Sequence, residues 1–179
     1  MTRPMNRTEL AQALYKVSHL TGSFLLRSGK TSTEYFDKYK FESDPKLLKE
    51  IGKGLAALVP QDVDYLGALE MGGIPIATAI SFETGIPVVF VRKEAKEYGT
   101  CKFAEGPEIK GKRLLLIEDV ITTGGQVVTS CEDLRKEGAL VTEVLCVIDR
   151  SEGQTQKIEA AGLKHQALYT MAELKAAAL

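Results

Sequence analysis

The residues best suited to chemistry are concentrated in Glu118-Asp119-Val120-Ile121-Thr122-Thr123-Gly124-Gly125. Two adjacent carboxylates offer acceptors for sugar hydroxyls or for a metal. Two hydroxyls and two glycines follow, and Gln126-Val127-Val128 opens a helical pattern. A helix N-terminus presents unpaired N–H groups and the positive end of a dipole, which suits a phosphate. Glycine lets the backbone approach that phosphate closely. Acids for hydroxyls beside amides for a phosphate point to a phosphorylated sugar.

A second group of charges lies at Arg92, Lys93 and Lys96, just after the apolar run Ile86–Val91. Lys93 to Gly111 carries no helix or strand pattern. Loops longer than ~12–15 residues without structure of their own usually carry function. The expectation is a mobile lid that excludes water and brings cations to a substrate developing negative charge. Gly106 to Lys112 matches the first seven positions of a nucleotide P-loop. Arg113 stands where Ser or Thr must reach magnesium, and the segment precedes a strand instead of following one. It is read as a turn.

The elements that must position these groups follow from periodicity. Leu114-Leu115-Leu116-Ile117 is a short unbroken apolar run, the pattern of a strand buried on both faces. Tyr65–Leu69, Ile86–Val91, Leu140–Ile148 and Gln166–Tyr169 read as further strands. Helices are expected from about Thr8 to His19, Pro45 to Val59, Ile74 to Thr84, Gly125 to Glu137, Gln154 to Ala161 and Met171 to Ala178. Asp44 before Pro45 is a helix-start signal. Strands alternating with helices predict an α/β fold with a doubly wound, mostly parallel sheet. Ligands of such sheets bind outside the carboxyl ends of the strands, where the acid pair falls. Before this alternation, Gly22–Lys30 and Glu34–Tyr39 read as a hairpin turning at Ser28-Gly29-Lys30. The expected organisation is one domain over residues 1–179, with a small hood over about 1–42 and the α/β core over about 43–179.

The 179 residues carry 23 basic and 24 acidic side chains, a formal charge of −1. That balance gives no bulk attraction to nucleic acid or to an acidic membrane. No apolar run approaches the ~20 residues of a membrane span, and the first residues lack a signal-peptide core. Cytoplasmic location follows as the default. Cys101, Cys131 and Cys146 are odd in number and widely spaced, which argues against a zinc site or a disulfide framework. Cys131 and Cys146 read as core thiols, and His19 and His165 as structural or surface residues.

Glu118 to Gly125 resembles the phosphoribosyl-diphosphate motif of the type I phosphoribosyltransferases. Arg92-Lys93-Glu94-Ala95-Lys96-Glu97-Tyr98-Gly99 resembles the catalytic loop of the orotate phosphoribosyltransferases within that family. Phe24-Leu25-Leu26-Arg27-Ser28-Gly29-Lys30 with Tyr35-Phe36-Asp37 is similar to their N-terminal hairpin. Asp149-Arg150 stands at a strand end where the family has an arginine contacting orotate. These segments occur in the family's order.

The resemblance implies transfer of a phosphoribosyl group from phosphoribosyl diphosphate to orotate, giving orotidine 5′-monophosphate and pyrophosphate in pyrimidine synthesis. It implies Mg²⁺ held mainly by the substrate. Lys96 and Asp119 would be the catalytic residues. Phosphoribosyl diphosphate would meet Arg92, Lys93, Lys96, Tyr98 and the run Glu118, Asp119, Val120, Ile121, Thr122, Thr123, Gly124 and Gly125. Orotate would meet Arg27, Tyr35, Phe36, Thr122 and Arg150. It also implies a homodimer whose lid is shared between subunits, with no nucleic-acid or membrane partner. The chain departs from some members at Tyr98, where they carry histidine, and at Met71-Gly72-Gly73, where they carry a lysine. The alternatives are a phosphoribosyltransferase for another base, such as a purine, and a nucleotide-sensing regulatory protein on the same fold.

Overall fold

A computed structural model describes residues 3–26, 29–94 and 103–179. Arg27, Lys96, Tyr98 and Cys101 lie outside the described residues.

The first helix, α1 (Arg7–Ser18), starts one residue before Thr8 because Asn6 caps it. The Asn6 side chain accepts from the Glu9 N–H at 2.9 Å, and Glu9 accepts in return from the Asn6 N–H at 3.0 Å. The antiparallel hairpin β1 (His19–Leu25) and β2 (Thr31–Phe36) follows. The returning strand lies earlier than the expected Glu34–Tyr39. Asp37 ends it by accepting the Tyr39 N–H at 3.1 Å, which turns the chain into the short helix α2 (Tyr39–Glu42). That turn aims Phe41 and Glu42 into the protein.

Helix α3 (Pro45–Ala56) begins as its sequence dictates: Asp44 accepts the N–H groups of Lys46 and Leu47 at 2.8 and 3.3 Å. It ends before Val59, where the Leu58 and Val59 N–H groups return to Leu55 and Ala56 in tighter three-residue turns.

The main sheet contains β3 (Tyr65–Leu69), β4 (Val88–Val91), β5 (Ala104–Glu105), β6 (Arg113–Ile121), β7 (Leu140–Asp149) and β8 (Lys164–Thr170). Their spatial order is β5-β4-β3-β6-β7-β8, parallel except for β5. The strand β5 corrects the expectation of a patternless loop from Lys93 to Gly111. It is two residues long, and its pairing is decided by Phe90 and Val91 across the ladder. The P-loop look-alike contains no helix and leads into β6, as expected of a turn.

Consecutive residues of β6 face opposite sides. Leu115 and Ile117 join the core beneath α1, α3 and α4 (Gly73–Thr84), with α7 (Met171–Ala177) at its edge. Leu114 and Leu116 join a second cluster under α5 (Gly125–Lys136) and α6 (Gln156–Ala160). Cys131 and Cys146 are buried in that second cluster, and burial raises both thiols above their usual range. The chain winds from β3 through α4 to β4 on one side, and from β6 through α5 to β7 on the other. The winding reverses between β3 and β6, so their carboxyl ends open a crevice of the kind that holds ligands.

Candidate active site

Strand β6 continues through the acid pair to Ile121, so both carboxylates project from a fixed strand and not from the loop beyond it. Asp119 continues the face of Leu115 and Ile117. It is 1% exposed. Its Oδ1 accepts the Val120 N–H, and its Oδ2 meets the Lys38 ammonium. Glu118 Oε1 accepts the Asp119 N–H at 2.9 Å. Glu42, buried on α2, is a further carboxyl beside Asp119.

Three carboxyl groups therefore share one ammonium. Burial, with Asp119 beside it, pushes Glu118 up to about 8. Burial, with Asp119 close by, pushes Glu42 up to about 8 as well. Burial alone would lower Lys38, but the hydrogen bond and charge of Asp119 outweigh it and raise the ammonium above its usual value.

Beyond Ile121 the chain leaves the sheet. Thr122 and Thr123 are exposed, and Gly124 stands at the N-cap of α5 with φ +69°. A Cβ there would lie 2.5 Å from Ile158 Cγ1, so glycine is required by both conformation and space. Glycine also brings no side chain to occupy the first-turn N–H groups of α5. The first turn contains no acidic residue, so its positive end is free of local competition for an anion. Val120 and Ile121 differ from their neighbours: Ile121 is buried in the core, and its carbonyl accepts the Arg150 N–H at 2.8 Å.

That last bond brings the end of β7 beside the end of β6. The exposed Arg150 guanidinium lies 5.9 Å from the Phe36 ring. Tyr35, next on β2, stacks instead on Phe24 with centroids 5.5 Å apart. Tyr35, Phe36 and Arg150 border one cleft of about 210 Å³, with His19 and Lys175 behind them.

On the opposite side, Arg92 follows β4, and its Nε lies 3.5 Å from Glu105. The Lys93 N–H donates to Glu70 Oε1 at 2.6 Å, tying the start of the loop to the turn after β3. In that turn the Glu70–Met71 peptide is cis, and Gly72 packs directly over Asp119.

A family described as the phosphoribosyl transferase domain matches residues 41–163. The chain is 52% identical to an orotate phosphoribosyltransferase of Nocardioides sp. over 168 residues, 94% of each chain. The chain belongs to the orotate phosphoribosyltransferase family. Crystal structures of the Mycobacterium tuberculosis H37Rv orotate phosphoribosyltransferase agree with its fold. One matches with a TM-score of 0.84 at 33% identity, covering 94% of this chain and 98% of that one. A complex of that protein with 5-phospho-α-D-ribosyl 1-diphosphate matches with a TM-score of 0.80 at 31% identity and the same coverage, 94% and 98%.

The type I phosphoribosyltransferase fold thus sets the acid pair and Thr122 to Gly125 at the end of β6, Arg150 at the end of the neighbouring β7, and Arg92 and Lys93 after β4. Sequence reasoning missed Lys38 and Glu42. A lysine and a glutamate in a charged stretch look like solvated surface residues. Only the hood's contact with β6, far along the chain, makes them part of the site.

Proposed function

We propose that this chain transfers the 5-phosphoribosyl group from phosphoribosyl diphosphate to orotate, releasing orotidine 5′-monophosphate and pyrophosphate in pyrimidine nucleotide synthesis. The observation that carries the reading is the acid pair on β6 leading directly into an α5 N-terminus capped by Gly124. Glu118 and Asp119 receive the ribose hydroxyls, and the Thr122-to-Gly125 amides and hydroxyls receive the 5′-phosphate. Val120 and Ile121 hold the acids and the loop in register from within the strand.

Arg150 faces the base. Orotate carries a carboxylate that uracil and purines lack, and a guanidinium can bind it through two parallel hydrogen bonds. Phe36 supplies the ring surface beside Arg150, Tyr35 borders the same cleft, and Thr122 reaches the base from the sugar side. Arg27 is assigned to the same carboxylate by its motif position.

As the bond to pyrophosphate breaks, the sugar becomes cationic and the leaving group strongly anionic. Arg92, Lys93 and Lys96 balance that leaving charge, with Lys96 the cation that matters most to the chemical step and Tyr98 assigned to phosphoribosyl diphosphate by its motif position. Among the described residues, no cluster of three His, Cys, Asp or Glu side chains converges as a metal site. This donor set fits a Mg²⁺ carried mainly by the substrate's own oxygens, where it would neutralise diphosphate charge.

The working unit is assigned as a homodimer in which each lid serves the partner's site, each chain forming one domain with its hood over about residues 1–42. No described helix is long and apolar enough to cross a membrane. A cytoplasmic location accords with that and with small soluble substrates. Incubating the chain with orotate, phosphoribosyl diphosphate and Mg²⁺ tests the reading. Loss of orotate matched by equal release of pyrophosphate supports it; neither change contradicts it.

A further inference from the structure

Lys38 comes from the junction between β2 and α2, two residues beyond Phe36, yet its ammonium rests on Asp119 in the middle of the main sheet. Its side chain is 33% exposed, whereas that of Asp119 is 1% exposed. The cation therefore has one side on the buried carboxylate and one side open to solvent. Among the described residues, three titratable neighbours lie beside this pair. Glu42 approaches from α2 and Glu118 from β6, both carboxyls. Tyr39 lies beside the ammonium, with its ring centroid 5.3 Å away. Lys38 is the cation among them.

We infer that Lys38 is a positioning residue for this reaction: its ammonium fixes the Asp119 carboxylate for the ribose and offsets the buried acidic charge facing an incoming phosphoribosyl diphosphate. The inference rests on the function proposed above. A polyanionic substrate must approach Glu118 and Asp119 closely enough for its hydroxyls to bond them, and uncompensated carboxylates there repel its phosphates. The same contact ties Phe36, on the base side, to Asp119, on the sugar side. A hood that shifts on β6 therefore moves the base relative to the reacting carbon.

Lys38→Met and Lys38→Gln remove the charge, the second keeping a hydrogen-bond donor, and Lys38→Arg retains the charge. In both neutral variants, KM for phosphoribosyl diphosphate is expected to rise about tenfold, with KM for orotate changed less. The acidic limb of kcat/KM for phosphoribosyl diphosphate should move about one unit to higher pH, because Glu118 loses the nearby cation that favours its ionised form. Lys38→Arg should return the limb toward its original position. A limb that stays in place in folded Lys38→Gln or Lys38→Met, with activity falling evenly at every pH, overturns the inference and leaves Lys38 a strut. Absence of orotate turnover by the unsubstituted chain contradicts the function itself, before Lys38 is in question.

Discussion

Gly72 lies so close over Asp119 that a Cβ built on it would fall 1.5 Å from Asp119 Oδ2. The turn after β3 and the acid of β6 are therefore one packed unit across the switch point of the sheet. Gly72→Ala must displace either the turn or the carboxylate. A misplacement of about 1 Å at a reacting centre can reduce the rate about 100-fold. The expected result is a fall of that order in kcat/KM for phosphoribosyl diphosphate, measured on protein whose circular dichroism is unchanged. Near-normal kinetics would show that Asp119 need not stay where it is.

The two glycines that open α5 should behave differently. Gly124 has φ +69° and would drive a Cβ into Ile158, whereas a Cβ on Gly125 meets only Thr123 Oγ1, at 3.8 Å. The left-handed conformation alone costs a residue with a side chain ~1–2 kcal/mol. Gly124→Ala is expected to lower the melting temperature and raise KM for phosphoribosyl diphosphate. Gly125→Ala is expected to keep the melting temperature while altering substrate affinity, since its added methyl stands in the proposed phosphate cradle. Equal melting temperatures for the two variants would contradict this separation.

The paired carboxyls Glu42 and Glu118 set a pH dependence of stability. Each is raised from an ordinary 4.5 to about 8 in the folded chain. The unfolded chain loses these protons near the ordinary value, while the folded chain keeps them until about 8. The stability they contribute is complete below the lower value and disappears as pH rises through the upper one. The melting temperature of the ligand-free chain should therefore decline across that window through these groups. Glu42→Gln stays neutral throughout and should flatten the decline. Melting curves at stepped pH measure it, and parallel declines in the two proteins would argue against a protonated Glu42.

The parts of this fold visible in the sequence are those whose signal is local. Asp44 and Pro45 announce α3 because the cap is made by the residue that precedes the helix. Tyr65–Leu69 and Leu114–Ile117 announce buried strands because a strand covered on both faces cannot tolerate alternation. The acid pair and its glycines carry their chemistry within eight positions, so their role can be read before any packing is known. Ala104 and Glu105 could not be seen as a strand, since two residues hold no period. Tyr35 and Phe36 look equivalent in sequence, but the first stacks on Phe24 and the second approaches Arg150. Lys38 and Glu42 were hidden for a different reason: their meaning comes from Asp119, which only the folded chain brings to them.

The proposal that each lid serves the partner's site can be tested by complementation. Lys96→Ala and Asp119→Asn should each be inactive as separate homodimers. If the lid serves the partner's site, mixed dimers restore one intact site each, and activity should recover after subunit exchange. Demonstrated exchange without any recovery would assign the lid to its own chain.

The central claim is that the β6 acids and the α5 N-terminus hold the phosphoribosyl group while Arg150 and the hood select a carboxylate-bearing base. Its most direct measurement is kcat/KM for orotate, uracil, adenine, hypoxanthine and guanine, each with phosphoribosyl diphosphate and Mg²⁺. A site built to pair with a substrate's polar group rejects analogues lacking it strongly, so orotate should exceed the others by at least about 1,000-fold. Turnover of uracil or a purine, with none of orotate, would contradict the account.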